Sequence, residues 1–249
     1  ATKCGVLPAE KGQAVRHISR DSILKEADAS LKRLQVDCID LYQIHWPVPD
    51  ENIEEAFETL LYLKEQGKIR WAGVSNFSVG QLERISRLGP VSSLQPPYSL
   101  LMRGIEKDIL PWCREHNTGV ITYSPMQNGL LTGKVDAQWV DNLADNDWRK
   151  NKPEDPRMRY VREPFLTPFM NFINALKDVA LQSDHTVAQL AVSWVLSREG
   201  ITAAIVGARK KGQILETAKA CDWKLSDKEL GEIEAAYVDF QSAIVAAEN

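Results

Sequence analysis

A short β-favouring run, a polar residue where it stops and an amphipathic helix recur six times along this chain. Cys38-Ile39-Asp40-Leu41-Tyr42-Gln43-Ile44-His45-Trp46-Pro47 is the clearest case. Its apolar and β-favouring residues predict a buried strand. Pro47 ends the run, because proline cannot continue a central strand. Other runs end at Lys3, Ser75-Asn76, Gln95, Tyr123-Ser124 and Gly207. Helices are expected from Ser19 or Asp21 with Ile23, Ala27, Leu31 and Leu34 inward, over 52–66 with Gly67 as the stop, and from Val79. More follow over 105–116, 169–182, 187–198, 211–221 and from Ser226 to about Ala243. Residues 5–18 read as a loop, as do 126–168, a polar stretch of the length that functional lids have.

Strands alternating with helices pair in parallel, giving an α/β barrel or a doubly wound sheet. In both, the ends of the strands are where chemistry is placed. The 249 residues suit one α/β barrel domain, with no internal boundary. Six strand ends fall two short of a closed (β/α)8 barrel. The expectation is therefore a TIM-type barrel whose first two βα units are missing from this chain, ahead of Lys3. An open barrel edge would invite a homo-oligomer or a protein partner.

Composition removes several function classes. The net charge is −4 with both signs interspersed, which leaves no basic stripe for nucleic acid and no polybasic membrane patch. No apolar run reaches the roughly 18 residues of a membrane span, and the first residues are not a signal peptide. Cys4, Cys38, Cys113 and Cys221 are scattered, which points to a reducing cytoplasm and no disulfide framework. The four histidines are equally dispersed, so no metal site is expected.

Several strand ends carry longer motifs. Ala1-Thr2-Lys3 precedes the first loop, and Gly73-Val74-Ser75-Asn76-Phe77 ends the third run. Tyr123-Ser124-Pro125-Met126 leads into Gly129-Leu130-Leu131-Thr132-Gly133-Lys134, and Gly207-Ala208-Arg209 precedes Gln213, Glu216 and Thr217. Taken one at a time, these have plain alternatives. Ser75 and Asn76 suit a helix cap, and Arg209-Lys210-Lys211 suits a solvated basic turn. In this order, from Ala1 to about Ala220, they resemble the aldo-keto reductases, NADP(H)-dependent carbonyl reductases built on a (β/α)8 barrel.

That resemblance implies roles. Reduction of a small-molecule carbonyl substrate needs a hydride from the nicotinamide and a proton donor beside the carbonyl oxygen. His45 would steer that oxygen, and Lys3 would lower the pKa of the donor. Trp46 would wall the substrate pocket. Ser75, Asn76 and Gln95 match the family's carboxamide contacts. Tyr123 would lay its ring on the nicotinamide. The backbone from Ser124, Pro125 and Met126 through Gly129, Leu130, Thr132 and Gly133 would approach the pyrophosphate, with Lys134 adding charge. Gly207, Ala208 and Arg209 would hold the adenosine 2′-phosphate, which makes NADPH/NADP+ the expected cofactor. Gln213, Glu216 and Thr217 would run along the adenosine, and Arg149 resembles a lid arginine.

One departure stands out. The family's proton-donor tyrosine lies in a D-x-x-x-x-Y arrangement upstream of the lysine, where this chain has only Ala1 and Thr2. Tyr42 lies inside the His45 strand and is not expected to reach the same spot. The expectation is an NADPH-dependent aldehyde or ketone reductase lacking its acid. The alternative is a non-catalytic NADP(H)-binding regulatory subunit acting through a protein partner.

Overall fold

The computed structural model describes residues 1–8, 14–136, 138–151 and 155–248. In chain order the first elements are β1 (Thr2–Cys4), β2 (Val6–Pro8), β3 (Ala14–Arg16), α1 (Arg20–Leu34) and β4 (Ile39–Ile44). Next come α2 (Ile53–Glu65), β5 (Ile69–Ser75), α3 (Val79–Ser86), β6 (Ser93–Gln95), α4 (Ile109–Glu115) and β7 (Gly119–Tyr123). The remainder is α5 (Trp148–Asn151), α6 (Leu166–Gln182), α7 (Val187–Leu196), β8 (Ile201–Ile205), α8 (Gln213–Ala218) and α9 (Asp227–Glu248).

The six expected strands form one sheet in the order β1-β4-β5-β6-β7-β8. The registered pairs from β1 to β7 are all parallel. This is the α/β arrangement on which TIM-type folds are built. Contacts divide the chain into two compact units. The first is Ala1–Pro97, Gly104–Tyr123 and Gly200–Ala203; the second is Tyr98–Arg103, Ser124–Glu199 and Ala204–Asn249.

In the first unit, helices α1 and α2 cover the early strands, and Ile44, Ile53, Phe57, Leu60 and Val74 are fully buried. Gly67 ends α2 at φ +72°, with its N–H on the Lys64 carbonyl and the Lys68 N–H on that of Leu63. That is the expected C-terminal stop. The second unit is a helical cluster. Tyr160, Phe169, Phe172 and Phe240 stack in one aromatic core, with Phe172 and Phe240 centroids 4.9 Å apart. Arg103 lies 3.5 Å from the Tyr237 ring centre and pairs with Glu234 at 2.7 Å.

Five details differ from the expected pattern. Residues 5–18 are not all loop: β2 and β3 pair antiparallel, because Val6-Leu7 and Val15 favour extended backbone. The inward face of α1 is Ile23, Ala27 and Ser30, while Leu34 in the last turn is 51% exposed. Helix α6 begins at Leu166, upstream of Pro168, since proline fits a first turn where its N–H is not needed. β8 is only partly buried, and Ile205 is 43% exposed at the end of the sheet order. Helix α8 starts at Gln213, because Gly212 sits at φ +82° and no right-handed helix runs through it. Gly207 and Arg209 therefore lie in a loop before the helix.

Candidate active site

The strand register explains why the polar residues meet. Lys3 on β1 is level with Gln43 on β4, Gln43 with Gly73, Gly73 with Ser93 and Ser93 with Gly119. Two residues further on, Ser75 is level with Gln95, and His45 follows Gln43 by the same step. Residues two apart on a strand share a face, so two rows of polar groups lie on one face at the carboxyl ends of the strands.

A buried amide chain runs along the lower row and ties it to the upper. Gln43 donates from Nε2 to Ser93 Oγ at 3.0 Å, and Gln95 Nε2 donates to Gln43 Oε1 at 3.1 Å. Gln43 is 1% exposed and Gln95 6%. Gly73, between Gln43 and Ser93 in the register, has no side chain to block that bond. The upper row is equally connected. Ser75 Oγ donates to the Gln95 carbonyl at 2.7 Å, and Asn76 Nδ2 donates to Ser75 Oγ at 3.1 Å and to the His45 carbonyl at 3.0 Å. Tyr123 Oη donates to Asn76 Oδ1 at 2.8 Å. Asn76 is held at φ +64°, a conformation that asparagine tolerates better than most residues. Ser75, Asn76, Gln95 and Tyr123 are therefore brought together.

Lys3 and His45 are half-buried. Burial lowers the Lys3 pKa. Burial also lowers that of His45, and the charges of Lys3 and Arg16 push it the same way. His45 is thus a neutral imidazole at pH 7, able to donate one hydrogen bond without carrying charge. Its main-chain N–H is fixed on the Cys4 carbonyl at 3.0 Å. Trp46 stacks beside the imidazole with centroids 6.3 Å apart, and Arg16 lies 4.2 Å over the indole. Tyr42 faces the opposite way. It is fully buried, with Cys4, Glu26 and Ser30 around its hydroxyl, as strand alternation requires.

In the second unit, the loop after β7 has an unusual backbone. Ser124, Gln127, Asn128, Gly129 and Gly133 all have positive φ, from +45° to +100°. Successive residues of this kind turn main-chain N–H groups into a concave cradle suited to anions. A Cβ on Gly129 would stand 3.0 Å from Arg149 Nη1, so glycine is needed there on both counts. The Thr132 hydroxyl is occupied by the Gly129 carbonyl at 2.7 Å. Pro125 and Leu130 are buried, while Met126 offers its carbonyl to the Gly129 and Leu131 N–H groups. Lys134 is exposed.

Arg149 is itself nearly buried, and its guanidinium makes three hydrogen bonds. Nη1 donates to the Asn128 carbonyl at 2.8 Å; Nε and Nη2 donate to the two Asp147 oxygens at 2.9 and 2.5 Å. Its charge and hydrogen bonds hold the Asp147 carboxyl at about 2, below its ordinary 3.8. A folded-state value below the unfolded one adds stability above the unfolded value and loses it as the pH falls. The stability gap between the native chain and D147N should hold from pH 7 to about 4 and close by about pH 2. Urea unfolding across that range measures it.

The last group is the loop 207–212 and helix α8. Gly207, Ala208 and Arg209 are exposed. Gln213 Oε1 accepts from the Arg209 and Lys210 N–H groups at 2.8 and 3.3 Å. Thr217 is buried and bonded to the Gln213 carbonyl. Glu216 accepts from Gln189 Nε2 through its carbonyl at 2.9 Å and through Oε1 at 3.0 Å. Among the described residues no cluster of His, Cys, Asp or Glu is able to hold a metal, and no helix is long and apolar enough to cross a membrane.

Residues 1–238 match the pattern of the Aldo/keto reductase family. The chain belongs to that family. The aldo-keto reductase YhdN of Bacillus subtilis is 36% identical over 94% of this chain and 68% of that protein. The NADH-specific methylglyoxal reductase of Escherichia coli is 32% identical, over 91% and 70%. Among solved structures, a glycerol dehydrogenase from Gluconobacter oxydans superposes with a TM-score of 0.86 at 35% identity, covering 95% of this chain and 71% of that one. As an aldo-keto reductase the chain is of the oxidoreductase kind that reduces carbonyl groups with a nicotinamide cofactor.

Some members of the polar rows were not singled out from the sequence. Gln43 is one, although a glutamine in the middle of a buried strand needs a buried partner. Ser93 is the other, and only the register reveals that it lies within reach of Gln43. Arg16 was hidden in what read as loop.

Proposed function

We propose that this aldo-keto reductase chain binds NADPH and reduces an aldehyde or ketone to an alcohol in the cytoplasm. The observation that carries the reading is the linked row of Ser75, Asn76, Gln95 and Tyr123, with His45 beside it. When bound, the cofactor supplies a hydride. Asn76, Ser75 and Gln95 offer amide and hydroxyl groups to a carboxamide, and the Tyr123 ring gives a flat surface to a nicotinamide. His45, neutral at pH 7, donates a hydrogen bond to the substrate carbonyl oxygen and orients it. Lys3 supports the proton donor with its charge, and Trp46 walls the substrate.

In the second unit the run of positive-φ residues after β7 gives a concave backbone suited to a pyrophosphate. Arg209 is exposed and forked, which suits a 2′-phosphate, and Gln213, Glu216 and Thr217 line the adenosine. Arg149 takes part as the clasp of the lid. In this reading the sheet supplies six of the eight strands of a TIM-type barrel.

A second reading, a non-catalytic NADP(H)-binding subunit acting through a partner, has one observation in its favour. The first unit has three tyrosines, and none stands as a free acid beside His45. Tyr42 faces away, Tyr62 lies under Arg20, and Tyr123 is bonded to Asn76.

Titrating the chain into NADPH and following its fluorescence tests the binding, and adding an aromatic aldehyde tests the chemistry. Quenching followed by oxidation of NADPH is the result expected of the reductase. Quenching without oxidation selects the regulatory subunit, and no quenching removes both.

A further inference from the structure

We propose that Asp147 sets this chain's choice between NADPH and NADH, by acting as a built-in counter-ion to Arg209. The inference rests on the assignment of Arg209 to the 2′-phosphate. Asp147 Oδ2 lies 3.7 Å from Arg209 Nη1. The two residues differ sharply in freedom. The Asp147 side chain is only 11% exposed and is gripped by Arg149 through Nε at 2.9 Å, Nη2 at 2.5 Å and the main-chain N–H at 3.0 Å. Arg149 is in turn tied to the Asn128 carbonyl and stacked 5.0 Å from the Trp139 ring. The carboxylate cannot swing aside. Arg209, by contrast, has a side chain 72% exposed.

A phosphate that docks on Arg209 must therefore share it with a fixed carboxylate. Like charges that close repel, and the carboxylate also draws off part of the guanidinium's attraction. The 2′-hydroxyl of NADH carries no charge and meets neither obstacle. Asp147 thus weakens NADPH binding while leaving NADH almost untouched, and narrows a preference that Arg209 alone would make large. A carboxylate that only held the lid turn in shape would affect both dinucleotides alike, since they share every other group.

The test is a double-mutant cycle on binding, read by fluorescence quenching of NADPH and of NADH at low salt. D147N should tighten NADPH about 3- to 10-fold relative to NADH. In an R209A background, D147N should leave the ratio unchanged, because the charge it acts on is gone. An equal change for both dinucleotides, or a shift of the ratio that persists without Arg209, overturns the proposal. Should D147N fail to fold, D147E keeps the charge and lengthens the arm towards Arg209. Its ratio should then move towards NADH, and an unmoved ratio overturns the proposal. Failure of the native chain to bind either dinucleotide would remove the cofactor reading itself; binding of both with an unmoved ratio in D147N would remove only the role of Asp147.

Discussion

NADPH will bind the Arg209→Ala protein roughly 10- to 100-fold more weakly than the native chain, while NADH will lose little. Hydrogen bonds to charged groups contribute about 1.5–3 kcal/mol, and each 1.4 kcal/mol is tenfold in affinity. Arg209 is suited to supply them, because a guanidinium is always charged and forked to match phosphate oxygens. Its main chain is not free to drift. Gln213 Oε1 accepts from both the Arg209 and Lys210 N–H groups and anchors the loop whatever side chain stands at 209. Loss of binding on substitution should therefore report the guanidinium and not a collapsed loop. The two dinucleotides differ only at the 2′ position, so each is the control for the other. Equal loss for both would sink the assignment of Arg209. The relative named as NADH-specific shows that this preference is not uniform within the family.

The second large effect concerns stability. Gly73→Ala should cost about 2–3 kcal/mol, near the top of the usual range for overpacking a filled core. A Cβ at position 73 would stand 2.3 Å from Ser93 Oγ, 3.0 Å from the Ser93 carbonyl and 3.1 Å from Gln43 Cγ. None of these neighbours can yield easily. Ser93 is level with Gly73 on the adjacent strand and accepts the Gln43 amide, and its carbonyl is part of the backbone. Relief would have to break the amide chain from Ser93 through Gln43 to Gln95. Urea unfolding measures the loss. Gly80→Ala, within α3 and facing open space, is the control and should change stability by less than about 1 kcal/mol. A Gly73→Ala protein as stable as that control would mean that the sheet gives way more readily than its register suggests.

These cases mark how far the amino-acid order could be read. The six strands of the sheet were legible because short apolar, β-favouring runs, stopped by proline or a polar pair, admit few other structures. His45 and Ser75-Asn76 could be placed at strand ends for the same reason. What escaped was set by pairing across strands. Gln43, Gly73 and Ser93 are 30 and 20 residues apart in order, and nothing local to any of them announces the other two. The hairpin of β2 and β3 escaped because three-residue strands fall below the length at which periodicity is visible. The start of α8 was misjudged because Lys210 and Lys211 favour helix, whereas Gly212 adopts a conformation that ends one. Arg149 resembles a lid arginine, a likeness that carries no sign of its burial. Its burial comes from Asp147, two residues before it, whose carboxylate matches its fork.

Gln189 bears on how separable the adenosine-side segment is from the rest of the protein. Its side-chain oxygen caps α7 at Thr186, and its amide nitrogen holds both the carbonyl and the carboxylate of Glu216. Residues 207–217 are consequently not a self-contained cassette. An engineer who grafts that loop from a relative to exchange one dinucleotide for another would transplant half of a joint. The carbonyl contact would survive any graft, since every residue has one. The carboxylate contact would survive only if the donor also carried an acid at 216, or if position 189 were recut to match. Grafts that exchange 189 and 216 together should therefore express and fold more reliably than grafts of the loop alone.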